Sequence, residues 1–133
     1  MTRRVVCDAS AVVTALLDAG ADGQWAAQRL MGADLFAPAV LPFECANVIR
    51  RHELNGLISA DLGAQAHMDL LELAVELWPY DAVAERVWQL RANVTVYDGA
   101  YAALAETLRV PLITLDRRLA FAPGLGCVVE TPE

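Results

Sequence analysis

Five short apolar runs, RVVC at 4–7, LFA at 35–37, WPY at 78–80, LIT at 112–114 and CVV at 127–129, are each separated from the next by sequence of helical character. Strands that alternate with helices specify an α/β fold around a central, mostly parallel sheet, and ligands of such sheets gather beyond the carboxyl ends of the strands. The 133 residues, 56% of them hydrophobic, read as a single domain spanning 1–133 that builds a core without disulfides or a structural metal.

Between the runs, helices are expected from about Ser10 to Asp18 and from about Gly23 to Met31, the second capped by Asp22 and stopped by Gly32. Pro42 opens a helix that runs to about Leu54 and ends at Asn55-Gly56. Ser59 caps the next, where Leu62, Ala66, Leu70, Leu73 and Leu77 trace one continuous helical stripe opposite a solvated face of Asp61, Asp69, Glu72 and Glu76. A helix over 82–92 turns Val83, Val87 and Leu90 inward, and one over 96–108 buries Tyr97, Tyr101, Leu104, Ala105 and Leu108. After Asp116 a short helix, RRLAF, precedes Pro123-Gly124.

The net charge of −7 argues against general electrostatic attraction to nucleic acid, so any such role is local. All ten basic residues are arginine. Cys7, Cys45 and Cys127 are odd in number, far apart and outside any C-x-x-C spacing, which leaves them as buried free thiols. No apolar run reaches the ~18 residues of a membrane span, and MTRR leads into a strand rather than a signal peptide, so a soluble cytoplasmic protein is expected.

One acid interrupts the run VVCDASAVV, and a carboxylate in such surroundings needs a cation or a set of donors. Asp8 follows the first strand and Asp116 the strand LIT, so both face the same edge of a parallel sheet. Glu44 falls in the first turn of the helix opened by Pro42, and Asp98 in the first turn after Thr95. Each acid also fits as a helix cap or a partner of the helix dipole, and Thr95-x-x-Asp98 resembles a capping box. Together, four like charges in one cleft repel strongly unless a divalent cation joins them, and oxygen-rich clusters with room for water suit Mg²⁺ or Mn²⁺. Ser10 and Thr114 lie two residues from Asp8 and Asp116 respectively, while Asn47 and Arg51 share a helix face with Glu44. Arg51 and Arg117 are candidates for contact with a substrate phosphate, against the alternative of solvated surface.

The blocks DASA at 8–11, PFECANVIRR at 42–51, YDGAYAALA at 97–105 and TLDRRL at 114–119 resemble, in order and spacing, the four signature blocks of PIN-domain proteins, specifically VapC-type toxin ribonucleases. The resemblance implies a three-layer α/β/α domain and a Mg²⁺-dependent endoribonuclease site built from Asp8, Glu44, Asp98 and Asp116, with Ser10, Asn47 and Thr114 in support. It also implies a homodimer, inhibition by a cognate VapB-type antitoxin whose tail lies across the cleft, and a heterotetramer or larger complex with it. One or two ions held by the acids would activate water for attack on RNA, leaving 5′-phosphate and 3′-hydroxyl ends.

Two other classes compete. Receiver domains and haloacid-dehalogenase-like phosphatases also place Asp after a first strand, but they balance the phosphoryl group with a lysine, which this chain lacks. The alternative that remains is a catalytically inactive PIN-like module that holds RNA or protein, for which four mutually repelling acids have no evident use.

Overall fold

The computed structural model describes residues 2–133. Five strands, β1 (Arg4–Cys7), β2 (Asp34–Pro38), β3 (Val75–Trp78), β4 (Leu112–Ile113) and β5 (Val129–Glu130), form one sheet in the order β3-β2-β1-β4-β5. Every pairing is parallel, and β1 at the centre sets Val6 opposite both Phe36 and Leu112. Val5, Val6 and Cys7 are wholly buried, as expected of a strand covered on both faces.

The connections explain the layering. β1 passes to its neighbour β2 through α1 (Ala9–Leu17) and α2 (Ala21–Leu30), and β2 passes to β3 through α3 (Leu41–Leu54) and α4 (Ala60–Glu72). From β3 the chain then crosses back to the far side of β1 through a 3-10 turn (Tyr80–Ala82), α5 (Ala84–Gln89) and α6 (Val96–Leu108). Right-handed crossovers that run in opposite directions along a sheet lie on opposite faces. Accordingly α1, α2, α3 and α4 pack among themselves, while α6 lies on β1, β2 and β4 with α5 beside it, giving three layers. The short α7 (Arg117–Ala120) links β4 to β5. Every residue from Gly99 to Ala105 is buried, so α6 is a helix enclosed nearly all round.

Several boundaries differ from the sequence expectation, each for a local reason. Helix α2 starts at Ala21 behind Gly20, not at Gly23 behind Asp22, because Asp18 Oδ1 accepts from the Gly20 amide at 2.7 Å and turns the chain early. Gly23 is then pressed on the end of α1, where a Cβ would meet the Asp18 carbonyl oxygen at 1.7 Å. The stripe expected to run from Leu62 to Leu77 breaks: α4 stops at Glu72, Leu62 is exposed, and Leu77 sits in β3 opposite Ala37. Strand β3 occupies Val75–Trp78 rather than 78–80, since Pro79 has no N–H to continue the ladder and Tyr80 enters the 3-10 turn. Strand β5 is Val129–Glu130 rather than 127–129, in register with β4 through Thr114 N–H donating to the Glu130 carbonyl at 3.1 Å. Tyr97, expected inside, is 58% exposed, because the first turn of α6 overhangs the end of the sheet.

Cys7 and Cys45 are buried free thiols and Cys127 is half-buried. Burial pushes the Cys7 and Cys45 thiols up to about 12, which leaves them unreactive. Among the described residues no helix is long and apolar enough to cross a membrane.

Candidate active site

At β1 the chain connections diverge, one leaving toward β2 and the other arriving at β4, and this reversal opens a crevice at the carboxyl ends of the two strands. Asp8 stands there, 7% exposed, immediately after β1. Its carboxylate is the N-cap of α1, Oδ1 accepting from the Ala11 amide at 3.0 Å. Ser10 Oγ donates to the same oxygen at 2.7 Å. Thr114 Oγ1, wholly buried, donates to Asp8 Oδ2. Each hydroxyl has one proton and gives it to Asp8, so the 3.3 Å approach of Ser10 Oγ to Thr114 Oγ1 is packing.

Behind this pair, the Leu115 amide donates to Ser10 Oγ at 2.9 Å and the Asp116 amide to Thr114 Oγ1 at 3.0 Å. The backbone after β4 is thereby tied through two hydroxyls to the acid after β1, which fixes where Asp116 stands relative to Asp8. Asp116 caps α7 through the Arg118 amide at 3.0 Å.

The other two acids arrive from helices on opposite sides of the sheet. Glu44, half-buried in the first turn of α3, accepts a 2.6 Å hydrogen bond from the Tyr101 hydroxyl of α6, a residue 2% exposed. Burial and then the Glu44 carboxylate hold the Tyr101 phenol far above its ordinary range, so it acts purely as a donor. Asp98 lies in the first turn of α6, where Thr95 Oγ1 accepts from its amide at 3.1 Å; this is the Thr95 half of the expected capping box.

The charges are linked pairwise. Burial raises the Asp8 pKa against its three hydrogen bonds, with the Asp98 charge adding to the rise. Burial also raises Asp98, followed by repulsion from Asp116, whereas the Arg118 guanidinium lowers Asp116. A cavity of about 290 Å³ opens here, with Thr95, Asp98, Asp116 and Arg118 in its wall. Carboxyl groups whose pKa values are raised by burial and by one another in a cleft mark a candidate functional site.

Among the described residues no three His, Cys, Asp or Glu side chains stand close enough together to hold a metal ion between them. A closed shell is not what a hard cation such as Mg²⁺ needs, because it keeps several waters and takes only one or two carboxylates directly. The donors are all oxygen, which fits that ion and excludes the soft ones. The carboxylates that could serve it one or two at a time are Asp8, Asp98 and Asp116, which act on one another in pairs, while Glu44 is engaged by Tyr101.

Of the remaining candidates, Asn47 and Arg51 are exposed on α3, and neither they nor Arg117 make a side-chain hydrogen bond or ion pair among the described residues. The arginine that reaches the acids is Arg118, whose guanidinium meets Asp116 Oδ2 at 3.0 Å and Oδ1 at 3.1 Å. Its side chain is 90% exposed, so the pair is weak and readily displaced. Arg118→Ala is therefore expected to tighten Mn²⁺ binding by up to about fivefold in calorimetry, since Asp116 no longer exchanges one cation for another. Tyr101 was read from the sequence only as a core residue. Its signal was its place three residues after Asp98 on a helix too buried to leave a phenol without a partner.

The family profile of the PIN domain matches residues 5–124. Ribonuclease VapC12 of Mycobacterium tuberculosis is 43% identical over 126 residues, covering 95% of this chain and 97% of that protein. Ribonuclease VapC1 of the same species is 42% identical over 127 residues, covering 94% and 95%. Among solved structures, the fold matches M. tuberculosis VapC20, a sarcin-ricin loop cleaving toxin, with a TM-score of 0.69 at 14% identity over 96% of this chain and 99% of that one. It also matches VapBC2 from Rickettsia felis, solved on a DNA fragment from its promoter, with a TM-score of 0.67 at 12% identity over 96% and 98%.

Proposed function

The chain belongs to the PIN-domain family, and on that premise we propose that it is the VapC-type toxin ribonuclease of a toxin–antitoxin pair, with Asp8, Glu44, Asp98 and Asp116 as its reacting acids. The observation that carries the reading is Asp8, a buried carboxylate at the sheet's reversal point whose hydrogen bonds orient it without neutralising it.

What a bound Mg²⁺, or Mn²⁺ in its place, supplies is Lewis acidity, making water nucleophilic at neutral pH and screening the charge of the phosphodiester. The protein's part is positioning. Ser10 and Thr114 spend their protons on Asp8, so its carboxylate keeps one orientation. The Tyr101 hydroxyl holds Glu44 from the opposite layer. Asp98, half-buried and raised in pKa by burial and then by Asp116, would be favoured in its charged form by a cation. Arg118, exposed at the rim, is free to move from Asp116 to the phosphate of an arriving RNA, and Arg51 and Arg117, exposed and without an ion pair among the described residues, are further candidates for phosphate contact.

The partner is a cognate VapB-type antitoxin in the cytoplasm, acting on a homodimeric toxin. An antitoxin arginine in the carboxylate cleft would supply the missing positive charge and exclude substrate at once. The experiment is cleavage of total RNA by antitoxin-free protein with Mg²⁺ and with EDTA. Cleavage that EDTA stops and added antitoxin suppresses is expected; intact RNA from folded, metal-binding protein would leave a non-cleaving PIN-like module as the account.

A further inference from the structure

On the β2 side of the carboxylates, at the carboxyl end of the same sheet, lies a second cavity of about 200 Å³ that the chemistry above does not use. Val40, Tyr80, Val96, Tyr97 and Ala100 line it over Pro38 at the end of β2, and its walls are almost wholly apolar. Both tyrosines are large, and both are left half in solvent, 51% exposed for Tyr80 and 58% for Tyr97.

Two of the acids are close along the chain to residues that line this cavity. Tyr97 precedes Asp98 directly in the first turn of α6, so their Cα atoms are ~3.8 Å apart while Tyr97 lines the apolar cavity and Asp98 the polar one. At the start of α3, the Val40 carbonyl accepts from the Glu44 amide at 3.1 Å, so Glu44 lies one helical turn beyond the opposite wall. We propose that this cavity takes one unpaired nucleobase next to the reacting phosphodiester, stacked on Tyr97 and Tyr80; the proposal rests on the ribonuclease reading.

Three considerations favour a base as the occupant. One nucleotide spans the short distance from a phosphate at Asp98 to a ring beside Tyr97. Apolar walls repel phosphate and ribose but accept the face of a base, and aromatic stacking is the usual way proteins grip splayed-out bases. Finally, a chain of net charge −7 without lysine draws little affinity from the phosphate backbone, so another source is required. With few polar groups to read base edges, the cavity would tolerate any base and discriminate against paired ones.

The test starts from a single-stranded oligoribonucleotide that wild-type protein cuts in Mg²⁺. Tyr97→Ala is expected to lower kcat/KM roughly 10- to 100-fold, and Tyr97→Phe, which keeps the stacking face, to stay within about threefold of wild type. An abasic residue beside the cut should lower wild-type cleavage by a similar factor and add nothing to Tyr97→Ala. Because Tyr97 is mostly exposed, neither variant threatens folding. If both variants cleave as wild type does and the abasic residue is tolerated, the proposal falls while the ribonuclease reading stands. If Tyr97→Ala cleaves normally but escapes the antitoxin, the cavity belongs to the protein partner and the proposal also falls. No cleavage by wild type would remove the ribonuclease reading itself and this proposal with it.

Discussion

Asp8→Asn is expected to reduce metal-dependent RNA cleavage by about 10³-fold or more while raising the melting temperature of the metal-free protein. The loss follows from removing an anionic ligand whose contribution to transition-state charge stabilisation is several kcal/mol, about 1.4 kcal/mol per tenfold in rate. The gain follows from the same burial. Asp8 is raised from 3.8 chiefly by desolvation, so at pH values between the unfolded and the folded pKa the folded protein binds more protons than the unfolded chain. Stability from such a group is fully present below the unfolded pKa and is lost as pH rises through the folded one. Asp98 is raised likewise. Metal-free wild type should therefore lose stability as pH climbs from about 4 toward neutral in the part governed by these two acids, whereas Asp116 and Glu106, both lowered by arginine partners, act in the opposite sense at the acid end. The difference between wild type and Asp8→Asn isolates the Asp8 share. In EDTA at neutral pH the variant should melt roughly 3–5 °C higher for each 1 kcal/mol of repulsion removed. With Mg²⁺ present the gap should narrow or reverse, because only the wild type gains binding energy from the ion. A variant that melts below metal-free wild type at neutral pH would show that the hydrogen bonds of Asp8 outweigh its burial.

The second large effect is at Tyr101. Its ring is buried between α6 and the sheet while its hydroxyl reaches across to Glu44, so one residue serves the core and the site together. Tyr101→Ala empties the space of a whole ring and should cost about 3–5 kcal/mol. A drop of roughly 10 °C or more in melting temperature is expected for a domain of this size. Tyr101→Phe separates the two roles. The ring stays and only the donor is lost, at about 1 kcal/mol or less because half-buried Glu44 can turn to water. Cleavage should still fall by roughly tenfold, since a carboxylate without its anchor spends less time in the productive geometry. Equal activity of Tyr101→Phe and wild type would mean that Glu44 needs no positioning.

Much of this molecule was legible from the chain alone. Alternating strands and helices fixed an α/β class because only a parallel sheet covered on both faces buries every apolar run. The positions of Asp8 and Asp116 followed, since an acid directly after a parallel strand has only one sheet edge to stand on. Less readable were the places where one period shades into another. Leu73 and Leu77 continue the helical spacing of Leu62, Ala66 and Leu70, yet the chain turns at Leu73 and Leu77 pairs with β2, a preference that exists only once the neighbouring strand is there. Tyr97 and Tyr101 are four residues apart on one helix face, and periodicity assigns them the same fate; the sheet ends between them, leaving one in solvent and one in the core.

The candidate acids were thus legible in the sequence, and their relations to the groups around them were not. That Ser10 and Thr114, 104 residues apart, would both give their protons to Asp8 depends on β1 and β4 lying side by side. That Glu44 would find Tyr101 depends on two helices from different layers meeting over the end of β1. Local pattern determines which residues end a strand or open a helix, because that choice is made by neighbours within a turn. Which acid faces which donor, how deeply each is buried and which arginine reaches it are set by strand order and layer, long-range contacts that no short window of sequence contains.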